Sequence, residues 1–332
     1  MRPLRVLTWH VHGSYLWYLS HVSHELLLPV RDGRPEGYGG RAGSRPWPDT
    51  VVEVPAEEVP DLDLDVILYQ SHRNWEVDRL ELLSAEQRRL PQVFLEHDPP
   101  RQVPTDTRHP VEDPSVTIVH VTHFNELMWN SGRSATRVIE HGVVVPPVEW
   151  TGELDRGLVV VNGLGSRGRR LGADVFERVR DEVPLDLVGM GSEELGGLGE
   201  VPLAELPAFA ARYRFFFNPI RYTSLGLAVC EAMMLGMPIV GLATTEMPTV
   251  VDNGVSGWVD TDVDRLVGHM CRLLADRDEA VALSQGARRT AEARFGLERF
   301  AADWDAVLYE TAAAGVGAGG PRPAHPARGS RR

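Results

Sequence analysis

The 332 residues, 43% of them hydrophobic, are enough to bury two ordinary cores and too many for one small one. A formal net charge of -13 excludes a basic footprint for nucleic acid, yet leaves room for a few local arginines to seat a diphosphate. Two cysteines, Cys230 and Cys271, exclude a disulfide framework; with no uninterrupted apolar opening and no apolar run of about 18 residues, the composition points to a cytoplasmic protein without a spanning helix.

In chain order, residues 4–9 (LRVLTW) read as a buried strand. The turn His10-Val11-His12-Gly13-Ser14 follows, then an apolar helix from Tyr15 that takes in Leu16, Leu19, Val22 and Leu26. Gly, Pro and Arg make 31–50 a loop, and strands are predicted at 65–69, 93–95, 117–121 and 136–140, the last ending in His141-Gly142. Pro146, Pro147 and Gly152 mark a linker, after which the pattern restarts with strand 157–161, a glycine-rich turn and helix 172–180. Strand 185–189, the turn Met190-Gly191-Ser192, strand 214–218, helix 226–235 and strands 238–242 and 257–259 complete it. Strands alternating with helices imply parallel sheets with right-handed crossovers. The expected class is therefore α/β, with two facing Rossmann-like doubly wound domains at 1–147 and 148–296 and a cleft between them. Helices are predicted at 262–275, 277–293 and 297–312, the last crossing back to the first domain, and 313–332 reads as a disordered tail.

Phe215 to Val259 reads FFFNPIRYTSLGLAVCEAMMLGMPIVGLATTEMPTVVDNGVSGWV. Pro219 after a strand, Glu231-Ala232-Met233, Gly236 with Pro238, and Asn253, Gly254 and Gly257 combine order, spacing and strand–helix context. This segment resembles the donor-binding region of the retaining GT-B glycosyltransferases of the large glycosyl transferases group 1 family (family 4 type). The resemblance implies an N-terminal acceptor-side domain, a C-terminal domain that binds a nucleoside-diphosphate sugar as donor substrate, no cofactor, and a homo-oligomer as an open alternative to a monomer. Three family positions depart. The first glutamate of the family's pair falls on Thr223, the lysine before the phosphate-loop glycine on Leu171, and the glutamate after the Gly-x-Pro strand on Thr249. These departures keep alive an alternative, a catalytically inactive nucleotide-sugar-binding protein of the same fold. Epimerase and phosphorylase readings lack the carboxylates or the cofactor site they need.

A departing diphosphate asks for cations and oriented amides. Gly163-Leu164-Gly165-Ser166-Arg167-Gly168-Arg169-Arg170 offers three arginines after a strand, of which Arg167 and Arg170 are the preferred candidates. Gly191 belongs to the next glycine turn, and Thr223, Ser224, Leu225 and Gly226 precede a helix whose first amides are free to face an anion unless Thr223 or Ser224 caps them. Glu231 sits in apolar surroundings and needs a partner; by resemblance it accepts from the ribose hydroxyls. In the first domain Gly13 and Ser14 are placed beside the leaving phosphate, and His97 by resemblance lies near the donor sugar. Acceptor-side candidates are His12, His72, His123 and Trp75, with Trp9, Tyr15, Trp17 and Tyr18 divided between core and acceptor groove. Histidines at 10 and 12, 97, and 120 and 123 have the residue type of zinc ligands, but no second close pair of structural type accompanies them, and no metal is predicted. The resemblance implies retention of configuration, for which a same-face transfer is the favoured path because no carboxylate nucleophile is convincingly placed; the lack of a long apolar run predicts no transmembrane segment, and the basic end of the tail leaves a peripheral membrane contact open.

Overall fold

The computed structural model describes residues 2–43 and 45–318. Its first half contains β1 (Arg5–Thr8), β2 (Glu25–Val30), β3 (Val51–Pro55), β4 (Val66–Tyr69), β5 (Gln92–Glu96), β6 (Thr107–Arg108), β7 (Val116–His120), β8 (Trp129–Asn130) and β9 (Ala135–Val138). Seven of these form a parallel sheet in the order β3-β2-β1-β4-β5-β7-β9, while β6 and β8 pair separately. The second half contains β10 (Leu154–Val160), β11 (Leu185–Val188), β12 (Tyr213–Asn218), β13 (Ile239–Leu242) and β14 (Gly257–Asp260), in the order β11-β10-β12-β13-β14.

Helices α1 (Gly13–Leu19), α2 (Arg79–Leu82) and α3 (His123–Met128) accompany the first sheet. The second carries α4 (Gly168–Leu171), α5 (Ala173–Arg180), α6 (Leu206–Ala210), α7 (Leu227–Leu235), α8 (Met247–Val250), α9 (Val263–Ala275) and α10 (Arg277–Arg294). Both sheets are apolar on both faces, as parallel sheets covered by helices must be. Leu7, Ile67, Tyr69, Phe94 and Ile118 pack on one side of the first sheet, and Val6, Leu68, Val93, Leu95 and Val119 on the other. In the second, Val159, Phe215, Phe217 and Val240 face α5 and α9, and Leu158, Phe216 and Ile239 face α7.

The last helix, α11 (Leu297–Ala318), runs past the expected end at 312 into the stretch read as tail, and residues 319–332 lie outside the described residues. Its Phe300, Trp304, Val307 and Leu308 return to the first domain at helical spacing, where Trp304 Nε1 donates to Tyr15 Oη at 3.2 Å. Gly142 permits this docking, because a Cβ there would lie 2.3 Å from the Phe300 side chain.

The helix expected from Tyr15 through Leu26 is corrected: α1 ends at Leu19 and Leu26 lies in β2, so β2 and, beyond the loop, β3 were both missed. Leu26, Leu27 and Leu28 are all buried, Leu27 on the opposite sheet face from its neighbours, which continues a helical-looking pattern by coincidence. The break is fixed by tertiary contact, with buried His24 Nδ1 accepting from Leu4 N at 3.1 Å.

Candidate active site

In an open doubly wound sheet, ligands bind at the carboxyl ends of the strands where the strand order reverses. In the second sheet β10 lies between β11 and β12, so that point is bounded by the loops after β10 and β12. These loops hold Gly163–Arg170 and Thr223–Gly226. In the first sheet β1 lies between β2 and β4, which places the loops after β1, β4 and β5 on the same cleft.

The loop after β10 gives its three arginines different surroundings. Arg169 pairs with Asp174, which Arg221 Nη2 also contacts at 2.8 Å. Arg167 and Arg170 have no carboxylate partner among the described residues. Burial lowers the Arg170 guanidinium pKa, and the like charges of Arg101 and Arg167 push the same way, as expected of cations gathered for an anion. Leu171 is a core residue at 4% exposure, so the charge at this turn comes from its neighbours. Gly163 N donates to Met190 O at 2.7 Å, stitching the turn that carries Gly165 to the one that carries Gly191. Gly191 has φ 69°, and a Cβ there would meet nothing within 4 Å.

Gly226, not Thr223 or Ser224, is the N-cap of the nine-residue α7, and no side chain caps it. The first amides of α7 therefore lack a side-chain acceptor. The loop before α7 touches the first domain at several points: Tyr222 Oη donates to Pro100 O at 2.8 Å, Thr223 Oγ1 lies 3.5 Å from Asp98 Oδ1, and His141 Nε2 meets Leu225 O at 2.8 Å. Burial pushes His141 down to about 4, so the neutral ring donates through Nε2.

The first-domain wall is a stack of imidazoles. His97 sits edge-on to His12, with centroids 4.2 Å apart, and to Tyr15 at 4.9 Å. Burial, and then the neighbouring His12, hold His97 well below its ordinary value; its Nε2 is enclosed and has no partner. His12 is also lowered by burial, against the pull of Asp98 and Glu96. Both rings line a cavity of about 490 Å³ with Gln70, His72, Asp98 and Arg101. Gly13 begins α1, and a Cβ there would come 2.9 Å from His10 Nε2, so its smallness seats a protein side chain. Ser14 Oγ accepts from Arg45 at 2.9 Å. His123 is exposed at the start of α3, whereas Trp75 packs in the core behind the first sheet.

Glu231 finds its partner across the domain boundary. Its Oε1 accepts from Tyr18 Oη at 2.6 Å, beside an apolar cavity of about 260 Å³ lined by Trp17, Arg45, Val160, Leu203, Phe216 and Met237. Burial raises the carboxyl's pKa and the Tyr18 bond opposes that rise. Neither Tyr18 nor Arg45 was legible as a site residue, because both reach Glu231 only through the meeting of the domains. Glu246, buried at 2%, was also missed. It accepts from Phe124 N at 2.8 Å and from Thr249 Oγ1 at 2.7 Å, so a carboxylate lies beside the Thr249 departure.

His72, Glu96 and His109 form a compact group that has the residue types of a metal centre. Both Nε2 atoms lie 3.1 Å from Glu96 Oε2. Burial alone would raise the Glu96 pKa, but the bonds from His109 and His72 outweigh it and hold the carboxyl well below its usual range. His109 Nδ1 accepts from Val111 N at 3.1 Å, which leaves the ring proton on Nε2, pointed at Glu96. A ligating imidazole needs the opposite tautomer, with the second nitrogen donating. The group fits a closed hydrogen-bonded cluster better than a metal centre.

Residues 166–276 match the family model described as glycosyl transferases group 1. A segment of 100 residues is 38% identical to the O-antigen chain mannosyltransferase B of Escherichia coli; it spans 29% of this chain and about a quarter (26%) of that relative's length. Among solved structures, sucrose-phosphate synthase from Thermosynechococcus elongatus superposes with TM-score 0.71 at 16% identity, over 94% of this chain and 100% of that one. Anabaena HepE in complex with UDP-glucose gives TM-score 0.65 at 14% identity, over 92% and 100%. AviGT4, a glycosyltransferase involved in avilamycin A biosynthesis, gives 0.62 at 17% identity, over 94% and 99%. With two facing Rossmann-like domains that superpose on these structures, the chain has the GT-B fold, and residues 166–276 of its second domain are similar to the glycosyl transferases group 1 family.

Proposed function

We propose that this protein moves a sugar from a nucleoside-diphosphate sugar to an acceptor hydroxyl, with retention of configuration and without a metal ion. The observation that carries the reading is the convergence of unpartnered Arg167 and Arg170 with the uncapped start of α7 at one switch point. Guanidinium forks and free amides suit phosphate oxygens and strengthen as the leaving oxygen gains charge. The apolar cavity beside Glu231 suits a nucleoside, with the carboxylate accepting from the ribose hydroxyls once Tyr18 yields. In the same-face path the acceptor oxygen bonds to the anomeric carbon as the bond to phosphate breaks, and the departing phosphate oxygen takes the acceptor's proton. Positioning and electrostatics do most of this work. The His109 tautomer supports metal independence. HepE has been solved with UDP-glucose, and the matched Escherichia coli relative is named a mannosyltransferase, so UDP- and GDP-sugars are the first donors to test.

Calorimetry with UDP, GDP and dTDP, followed by turnover of the matching sugar nucleotides, tests the reading. Binding of at least one nucleotide is expected, with turnover that survives chelator treatment. Loss of turnover on chelation and its return with magnesium or manganese would remove the metal-independent mechanism. The Thr223 departure favours one second reading, a nucleotide-sugar-binding protein, which tight binding without turnover across a broad acceptor set would establish.

A further inference from the structure

We propose that Asp98 supplies, from the first domain, the carboxylate that faces the reacting carbon of the donor sugar. This rests on the nucleotide-sugar reading and assigns a residue within that cleft. Breaking a glycosidic bond builds negative charge on the leaving oxygen and positive charge on the anomeric carbon and ring oxygen. The loop after β10 provides for the negative pole with Arg167 and Arg170. The loop before α7 offers no carboxylate for the positive pole, since Thr223, Ser224, Leu225 and Gly226 are neutral and Arg221 is a cation.

Asp98 stands opposite that loop, with Oδ1 3.5 Å from Thr223 Oγ1 and its other oxygen paired to Arg101. Its backbone is fixed on both sides: the amide donates to Glu96 Oε1 at 3.0 Å, and the carbonyl accepts from Trp129 Nε1 at 2.8 Å. The Glu96–His72–His109 cluster thereby positions the Asp98 loop. Neighbouring carboxylates are committed elsewhere: Glu96 to two histidines and the Asp98 amide, Glu231 to Tyr18, Glu246 to Phe124 N and Thr249, and Asp174 to Arg169 and Arg221. Asp98 also lines the same first-domain cavity as His12 and His97, and its contact with Thr223 puts it where the two domains meet.

A carboxylate serving the sugar predicts opposite effects on bare nucleotide and on turnover, whereas a structural latch between domains predicts parallel losses. Asp98→Asn keeps the shape and removes the charge. UDP and GDP binding, read by calorimetry, should hold or tighten a few-fold as Arg101 is released, while turnover of UDP-glucose or GDP-mannose falls about a hundredfold. Adding Thr223→Glu to Asp98→Asn should restore at least tenfold of the lost turnover. Nucleotide binding and turnover falling together, or no rescue by the double variant, would overturn the proposal. Thr223→Glu alone is the second variant. It sets two carboxylates side by side, so the acid limb of the pH–turnover profile should move to higher pH; an unmoved profile counts against Asp98. A wild-type chain that binds neither nucleotide defeats the nucleotide-sugar reading itself. Binding with no turnover of either sugar nucleotide overturns the role of Asp98 and leaves the anion seat standing.

Discussion

Arg169 donates to Asp174 while Arg170, the next residue, has no paired carboxylate and feels the like charges of Arg101 and Arg167 more than the opposite charge of Asp98, so substitution should separate two chemically identical side chains. Arg170→Ala is expected to weaken nucleoside diphosphate binding by about tenfold to a hundredfold, the worth of a charge-assisted bond. Arg169→Ala should leave affinity within about twofold; equal losses in calorimetry would mean that the loop acts only as a diffuse positive field. Glu96 makes a different kind of prediction, on stability. Its folded pKa is depressed, so its contribution is present above about pH 4.3, the unfolded value, and is lost as pH falls through the folded one. His72 is raised, chiefly by the bond to Glu96, so its contribution is present below about pH 6.5 and is lost as pH rises through its folded value. The cluster is therefore worth most between those limits. Glu96→Gln should cost about 2 kcal/mol within that window and progressively less in stronger acid, as read from urea midpoints across pH. A cost that does not change with pH would show that shape, and not charge, matters at this position.

The short helices α4 and α5 meet at Gly172, and their junction aims the arginine turn. Gly172 has φ 85°, and a Cβ there would fall 1.9 Å from Pro219 O, so an L side chain is opposed by backbone on both counts. Gly172→Ala should lower stability by about 2 kcal/mol or more, and nucleotide affinity with it, because α4 must move to relieve the clash. An unchanged melting midpoint would refute this reading of the junction. Within α7, neither Thr223 nor Ser224 is used as a cap, although either residue type would serve well. The element gives up that local stabilisation and keeps its first amides available, while burial of Val229, Met233 and Met234 holds the helix in place. That choice was not legible from the residue types, because a Thr-Ser pair before a helix ordinarily reads as a cap.

Across the whole molecule one hydrophobic cluster passes from the first sheet through α1 and α11 to α7 and the second sheet, so the two domains share core as well as cleft. Trp304, fully buried in that cluster and bonded to Tyr15, should cost about 3–5 kcal/mol when changed to Ala, and the loss should appear as a single cooperative transition if the shared core couples the halves. Two separate transitions would show that the domains unfold independently. Tyr222, Thr223, Leu225 and Glu231 all touch the first domain in this arrangement, while Tyr18 occupies the Glu231 oxygen that the proposed function gives to ribose. Nucleoside diphosphate binding should therefore release the Tyr18 bond and change the compactness of the molecule, which small-angle scattering with and without the ligand will register. Identical profiles would place the nucleotide without any domain rearrangement.

The sequence alone determined the strand–helix alternation of the second domain, its glycine turns and the segment from Pro219 to Gly257, because these are local: a strand, a tight turn and a helix start leave their residue types at fixed spacing. It also placed Arg167, Arg170 and the helix bearing Glu231 on loops that follow strands. The ends of α1, the identity of β2 and β3, and the pairing of Arg169 were decided only by tertiary structure. Leu26 to Leu28 satisfy a helix and a doubly buried strand equally well, and Asp174 reaches Arg169 only once α5 is in place. Asp98 meets Thr223, and Tyr18 meets Glu231, across separations of 125 and 213 residues, so no spacing rule could have paired them. Their chemistry exists only where the two folded sheets turn their carboxyl ends toward each other.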